Sequence, residues 1–374
     1  MNPTLSLGRI AGIRIGVNWS WIAALALIVW SLGAEVFPAQ NPGLGDGTYA
    51  AMAVTAAVLF FTTLLLHELG HALQARREGM RIEGITLWLF GGVARFRGAF
   101  PSAGAELRVA AAGPAVTVAI AAALLAVAAA ASPTPAVDGV VAWLGYVNLL
   151  LLAFNLLPAL PLDGGRILLA LLWRRSGDVG RATRTAAGFG RGLGWVMIAG
   201  GLVLVALGAA GGIWLAALGW FLHAAATAEA RQGRVRDALR GRMVRDEMTP
   251  VTAVAAAGQT LRSFADALPL GLLHTAYPVV DDGRVLGLLP VDAVADVPTA
   301  DWDRRLVRDL TVPRDRLAVL RPEEDLFEAL LDMGAHGQGR ALVMDGDRLR
   351  GLVSVTDIER LLDPSLRRPP SARR

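Results

Sequence analysis

The chain contains no cysteine, so disulfides, thiolate nucleophiles and thiolate metal ligands are all excluded. Any metal must be held by histidine, aspartate or glutamate. Lysine is absent too, so the basic side chains are arginines plus five histidines. Charged residues make up only 18% of the 374 positions, and the mean hydropathy of +0.48 lies well above that of an ordinary soluble domain. The isoelectric point near 10.4 raises the question of nucleic acid. The arginines, however, flank apolar stretches and do not form a basic face with aromatics. That placement fits a lipid bilayer surface and argues against a nucleic-acid partner. The length implies two or more structural units.

What the chain has in quantity is apolar sequence: 54% of its residues are hydrophobic. A helix needs roughly 20 apolar residues to cross a bilayer, and six stretches qualify or nearly do: 17–36, 49–75, 109–131, 140–160, 193–208 and 213–230. The last two are short and sit around Gly208, Gly211 and Gly212, consistent with a tight hairpin or with one poorly delimited span. Arginines gather after the second span (Arg76, Arg77, Arg81, Arg95, Arg97, Arg108) and after the fourth (Arg174, Arg175, Arg181, Arg184, Arg191). The links 37–48 and 132–139 have no basic residue. The positive-inside rule then places both termini in the cytoplasm of a multi-pass cell-membrane protein. A cleaved leader peptide is the other reading of the first stretch.

From residue 244 the texture changes. Two similar segments of roughly 55 residues follow, opening on Val244-Arg245-Asp246-Glu247-Met248 and Val307-Arg308-Asp309-Leu310. Each closes with two apolar strands around an Asp-Gly turn and then an aspartate, Asp292 or Asp357, which is the pattern of a soluble α/β module. The expected organisation is a transmembrane domain over 1–235, modules over 244–300 and 305–364, and a disordered tail over 365–374.

The second span contains His67-Glu68-Leu69-Gly70-His71. Histidines four apart share a helix face, neutral imidazole binds zinc, and the intervening glutamate can take a proton from the attacking water. Polar groups inside an apolar span are costly unless they pair or bind something, and a polar cluster satisfied internally is the alternative. A hydrolytic zinc usually has three protein ligands. Asp163 is the only acidic side chain in the run 155–165 (Asn-Leu-Leu-Pro-Ala-Leu-Pro-Leu-Asp-Gly-Gly) that ends the fourth span. Counted along continuous helices at about 1.5 Å per residue, His67 and Asp163 reach the same cytoplasmic third. The segment 87–96, with Gly91, Gly92 and Val93 at its centre, is too short to span and has β-rich ends. It reads either as a strand that captures an unwound substrate by β-augmentation or as a structural hairpin.

With these motifs in place, the chain resembles the site-2 protease family of intramembrane zinc metalloproteases, in its prokaryotic branch with paired cystathionine-β-synthase-type (CBS) domains. The resemblance implies a polytopic α-helical membrane protein of about six transmembrane helices with a membrane-associated β-hairpin, followed by a soluble α/β CBS pair. It implies one Zn2+ held by His67, His71 and Asp163, Glu68 as general base, and Asn155 beside the metal, steadying the scissile carbonyl. Substrates would be membrane proteins cut in a transmembrane segment, such as an anti-sigma factor. In the CBS family a hydroxyl three residues before an aspartate contacts an adenosine ribose. Ser354 and Asp357 meet that pattern, whereas Leu289 before Asp292 does not, so one adenine-nucleotide site is expected. A CBS pair that only forms a homodimer is the other possibility. One position departs from the family: Thr117 stands where related chains often carry asparagine, which puts a shared polar role there in doubt. Two other functions use parts of the same pattern, a membrane metalloprotease acting on lipid-linked substrates and a CBS-regulated metal or ion transporter or channel.

Overall fold

The computed structural model describes residues 4–89, 91–130, 134–267 and 275–362; the tail expected over 365–374 lies outside them. The chain divides into two compact units, Met1–Gly233 and Arg234–Arg374.

The first unit opens with strands β1 (Leu5–Ile10) and β2 (Ile13–Val17). Asn18 then caps helix α1 (Trp19–Ser31), accepting from Ser20 N at 3.1 Å. A π-helical turn, Leu32–Val36, carries α1 into α2 (Phe37–Gln40). Helix α3 (Asp46–Arg77) holds the histidine motif and leads into β3 (Arg81–Trp88) and β4 (Gly91–Arg97). Helices α4 (Ala103–Ala129), α5 (Pro135–Asn155), α6 (Asp163–Ser176), α7 (Val179–Ala206) and α8 (Gly211–Leu239) follow. Among the described residues six helical segments are long and apolar enough to cross a membrane: Trp19–Gln40, α3, α4, α5, α7 and α8. The first packs Trp21 edge-on against Phe61 at 5.1 Å. Ahead of it in the chain, β1 and β2 pair into the same sheet as β3.

Two features differ from the sequence expectation, and a third decides between its alternatives. The hairpin β3–β4 belongs to a four-stranded sheet, β1-β2-β3-β4, in which β2 and β3 run parallel. Its inner face buries Ile13, Ile15 and Ile85 against Ala72 of α3. Next, the fourth span ends at Asn155, not near residue 160, and Asp163 opens a separate helix, so the continuous-helix depth count does not hold. Finally, the last two spans form a true hairpin turned at Gly208 (φ +83°). It is longer than expected because the arginine-bearing first turns of α7 are helical. A Cβ on Gly201 would lie 2.5 Å from Gly212 O and one on Gly194 2.8 Å from Gly219 O, so small residues let the two backbones touch. At the foot of α3, Arg108 grips Glu78 through two 2.7 Å hydrogen bonds. These hydrogen bonds hold the Glu78 carboxyl at about 2, well below the usual range.

In the second unit the modules exchange their opening phrases. After α9 (Val244–Glu247), β5 (Thr249–Pro250) joins the sheet of β10 (Ala318–Leu320), β11 (Arg340–Asp345) and β12 (Arg348–Ser354). Reciprocally, β9 (Val312–Pro313) joins β6 (Ala255–Ala256), β7 (Ala276–Asp281) and β8 (Arg284–Pro290). Val244 is buried among residues of the second module and Val307 among those of the first. The repeated valine in the two phrases is therefore a core residue of the opposite module.

Candidate metal centre

Helix α3 presents His67 and His71 one turn apart, both buried, toward α4 and the start of α6. His71 Nδ1 lies 2.7 Å from the Val109 carbonyl. A carbonyl can only accept, so Nδ1 carries the proton and Nε2 keeps its lone pair. His67 Nδ1 lies 2.8 Å from Thr117 Oγ1, and that hydroxyl donates onward to Gly113 O at 3.3 Å. His67 therefore donates through Nδ1, and its Nε2 also presents a lone pair. The two Nε2 atoms sit 3.2 Å apart, and each lies 3.2 Å from an oxygen of Asp163. Asp163 Oδ2 is buried without a hydrogen-bond partner.

Three electron-pair donors crowded in this way repel one another unless a cation sits among them. For zinc held at about 2.0–2.1 Å, the edge of a tetrahedral site is about 3.3 Å. The observed separations of 3.2 Å fit that edge, and the donor set of two imidazoles and a carboxylate suits zinc. Both histidines have the outer partner on Nδ1 that orients metal-bound imidazoles.

Asp163 reaches the pair because the loop before it is tightly folded. A Cβ on Gly164 would lie 2.2 Å from Leu156 O, and one on Gly165 2.3 Å from the Ala159 carbonyl carbon. One helical turn after Asp163, Arg166 lies 3.6 Å from the buried Glu106 of α4 and 3.2 Å from Glu229 of α8. This charged triad ties the helix that bears Asp163 to its neighbours. Glu68, next to His67 on α3, lies beneath β4: a Cβ on Gly92 would lie 2.4 Å from Glu68 Cγ. β4 is an edge strand of its sheet, and Val93 is 41% exposed. The segment expected to meet substrate thus passes directly over the expected base. Asn155 closes α5 half-buried, eight residues ahead of Asp163.

Sequence reasoning missed two parts of this centre. Thr117 does carry a polar role here, through His67. Gly113 was visible only as a glycine before Pro114 in an apolar run, yet a Cβ there would lie 2.2 Å from His71 Nε2. Replacing Thr117 with valine, close in shape but without the hydroxyl, should weaken zinc affinity about 10–100-fold, while Thr117→Ser keeps it. Titration against a competing chelator checks this; equal affinity in wild type and Thr117→Val would remove Thr117 from the centre.

In the second unit Ser354 Oγ donates to Asp357 Oδ2 at 2.6 Å, at the junction of β12 and helix α10 (Val355–Leu362). Leu289, at the corresponding place in the first module, is fully buried.

A family model for Peptidase family M50 matches residues 55–138 and 130–199, and one for the CBS domain matches 307–363. Rip3 of Mycobacterium tuberculosis, named provisionally as a zinc metalloprotease, is 41% identical over 97% of this chain and 94% of its own length. The chain belongs to peptidase family M50. Zinc metalloprotease MJ0392 of Methanocaldococcus jannaschii is 30% identical over 97% of both chains. The solved site-2 protease from Methanocaldococcus jannaschii is 31% identical, with a TM-score of 0.44, covering 61% of this chain and 95% of that one. M50 membership makes the protein a multi-pass, zinc-dependent metalloprotease of site-2 type with a CBS domain. It sets aside the transporter reading and that of a protease for lipid-linked substrates.

Proposed function

We propose that this protease cuts a transmembrane segment of a membrane-anchored regulator, such as an anti-sigma factor, within the cytoplasmic third of the bilayer. His67, His71 and Asp163 hold the Zn2+, and Glu68 is the general base. The observation that carries this reading is the meeting of three lone-pair donors beside a glutamate that lies under an edge strand. When bound, zinc supplies Lewis-acid polarisation of the scissile carbonyl and makes water acidic enough to attack. Glu68 takes the proton of the attacking water and returns it to the leaving amine. Asn155 steadies the carbonyl oxygen. A substrate helix has its carbonyls locked in hydrogen bonds, so it must unwind before it can be cut. The free edge of β4 at Gly91, Gly92 and Val93 offers those freed groups a partner strand.

Both termini face the cytoplasm, as the arginine distribution requires. The CBS pair serves as an adenylate-responsive regulatory unit and forms a homodimer. Its single nucleotide site lies at Ser354 and Asp357, whose hydroxyl and carboxylate can share the hydrogen bonds of a ribose diol.

The test is reconstitution in proteoliposomes with a single-span substrate, followed by chelation and metal return. Cleavage should stop on stripping with a chelator and come back with stoichiometric Zn2+. Cleavage that persists after complete metal removal overturns the reading.

A further inference from the structure

The outer face of the four-stranded sheet carries like charges that its register forces together. Arg9 of β1 stands directly opposite Arg14 of β2. The parallel pairing of Ile15 with Ile85 continues that row to Gly84 of β3, whose Cβ would lie 2.8 Å from Arg14 O. On β4, Arg95 stands opposite Gly84. Since Ile13, Ile15 and Ile85 face α3, the pleat turns this row the other way. Like charges directly opposite one another destabilise a sheet, unless an anion lies between them.

The same face has room for one. A groove of about 590 Å³ lies over Gly16 and Gly84, lined by Ser6, Arg14, Arg81, Thr86 and Arg95, with Glu83 as the acidic residue on its wall. Its charged side chains sum to three arginines against one glutamate, and two hydroxyls can donate to oxygen. The sheet joins the first span through Asn18 and follows the end of α3, so it sits where two spans leave the membrane. At the start of the first span, just after β2, Trp19 is 68% exposed. A cationic groove at the membrane surface matches a molecule with an anionic head held there by acyl chains, and an exposed tryptophan is typical of that interfacial level.

We propose that this groove binds the phosphate headgroup of an anionic phospholipid. The bound headgroup bridges Arg14 of β2 and Arg95 of β4 and so fixes β4, which carries Arg95 three residues after the Gly92 that covers Glu68. Lipid composition would then bear on the strand over the base.

The full chain in neutral detergent, equilibrated with mixed micelles of phosphatidylglycerol or phosphatidylcholine, tests this by native mass spectrometry of retained lipid. Wild type should retain phosphatidylglycerol in preference to phosphatidylcholine, and Arg14→Gln/Arg95→Gln should bind it at least about tenfold more weakly. Arg14→Lys/Arg95→Lys should keep the preference, since a phosphate accepts from either cation, and Arg174→Gln/Arg175→Gln should match wild type. Gly16→Val fills the groove floor with the charges left in place. It should lose the lipid as well, and it carries the test if the double glutamine variant misfolds. Equal retention of the two lipids by wild type, or unchanged phosphatidylglycerol binding in Gly16→Val, overturns the proposal. Full displacement of the lipid by low millimolar inorganic phosphate would also overturn it, by making the groove a site for free phosphate.

Discussion

Asp163→Ala is expected to purify with little or no zinc and to cleave nothing, whereas Glu68→Gln keeps the wild-type zinc content and still cleaves nothing detectable. The two losses have separate causes. Among the described residues Asp163 supplies the only carboxylate that lies 3.2 Å from each Nε2, and without it the imidazole pair has no third donor among them. Removing an outer-shell partner of a zinc ligand already costs about 10–100-fold in affinity, so removing the ligand itself must cost more. Glutamine at 68 keeps the shape that Gly92 accommodates but cannot take a proton. General-base catalysis contributes roughly 10²–10⁴ in rate, and the loss should be at least that large. Zinc is counted by elemental analysis of detergent-purified protein, and cleavage is followed in proteoliposomes. Stoichiometric zinc in Asp163→Ala would refute the three-ligand site. Substantial cleavage by Glu68→Gln would refute the role of the base while leaving the metal site standing.

The contrast between these residues and the rest of the centre shows what a linear reading can reach. His67, Glu68 and His71 are legible because helical periodicity alone aligns them, and because two imidazoles in an apolar span are costly without a purpose. Asp163 is legible because its run has no other acid. Helix α6 is not legible. It is short and charged, and its first turn holds two glycines, which usually signal a loop. Those glycines are there because the backbone of residues 156–160 leaves no room for a Cβ, a constraint that only the packed structure reveals. The strands β1 and β2 are hidden for another reason. Ile13-Arg14-Ile15-Gly16-Val17 alternates as a half-buried strand does, but it is only five residues long and runs straight into the first apolar span, and its partner Leu5–Ile10 is exposed along its whole length. The reciprocal exchange of β5 and β9 between the CBS sheets is a matter of partner choice, and two nearly identical opening phrases carry no information about which sheet each joins.

The charged triad around Arg166 shows the same limit from another side. Glu106, Arg166 and Glu229 are separated by 60 or more positions in sequence, and each reads alone as an ordinary charge near a helix end. Brought together, they compensate the burial of Glu106, which is 4% exposed, because a buried carboxylate needs a cationic partner. The partner stands one turn beyond the aspartate of the metal centre, so the polar residues of α4, α6 and α8 support a single geometry.

Gly113→Ala should abolish zinc binding while the protein still folds into the membrane. One methyl group on α4 would stand 2.2 Å from His71 Nε2 and 2.8 Å from His67 Cε1, so at least one imidazole must leave its position. Inserting carbon into a packed site costs about 1–3 kcal/mol. Alanine returns up to about 1 kcal/mol in helix propensity relative to glycine, so the global penalty is modest. The local one is not, because a displaced His71 gives up both its Nδ1 bond to Val109 O and the position of its Nε2 among the other donors. Affinity should fall by more than the 10–100-fold expected of an outer-shell change, with thermal unfolding of the metal-free protein shifted only slightly. Gly145→Ala is the control, since nothing lies within 4 Å of a Cβ there, and it should bind zinc as wild type does. If Gly113→Ala also binds zinc normally, α4 does not approach the histidines as closely as the 2.2 Å separation requires. The Val109 and Thr117 contacts, which lie on the same helix, would fall with it.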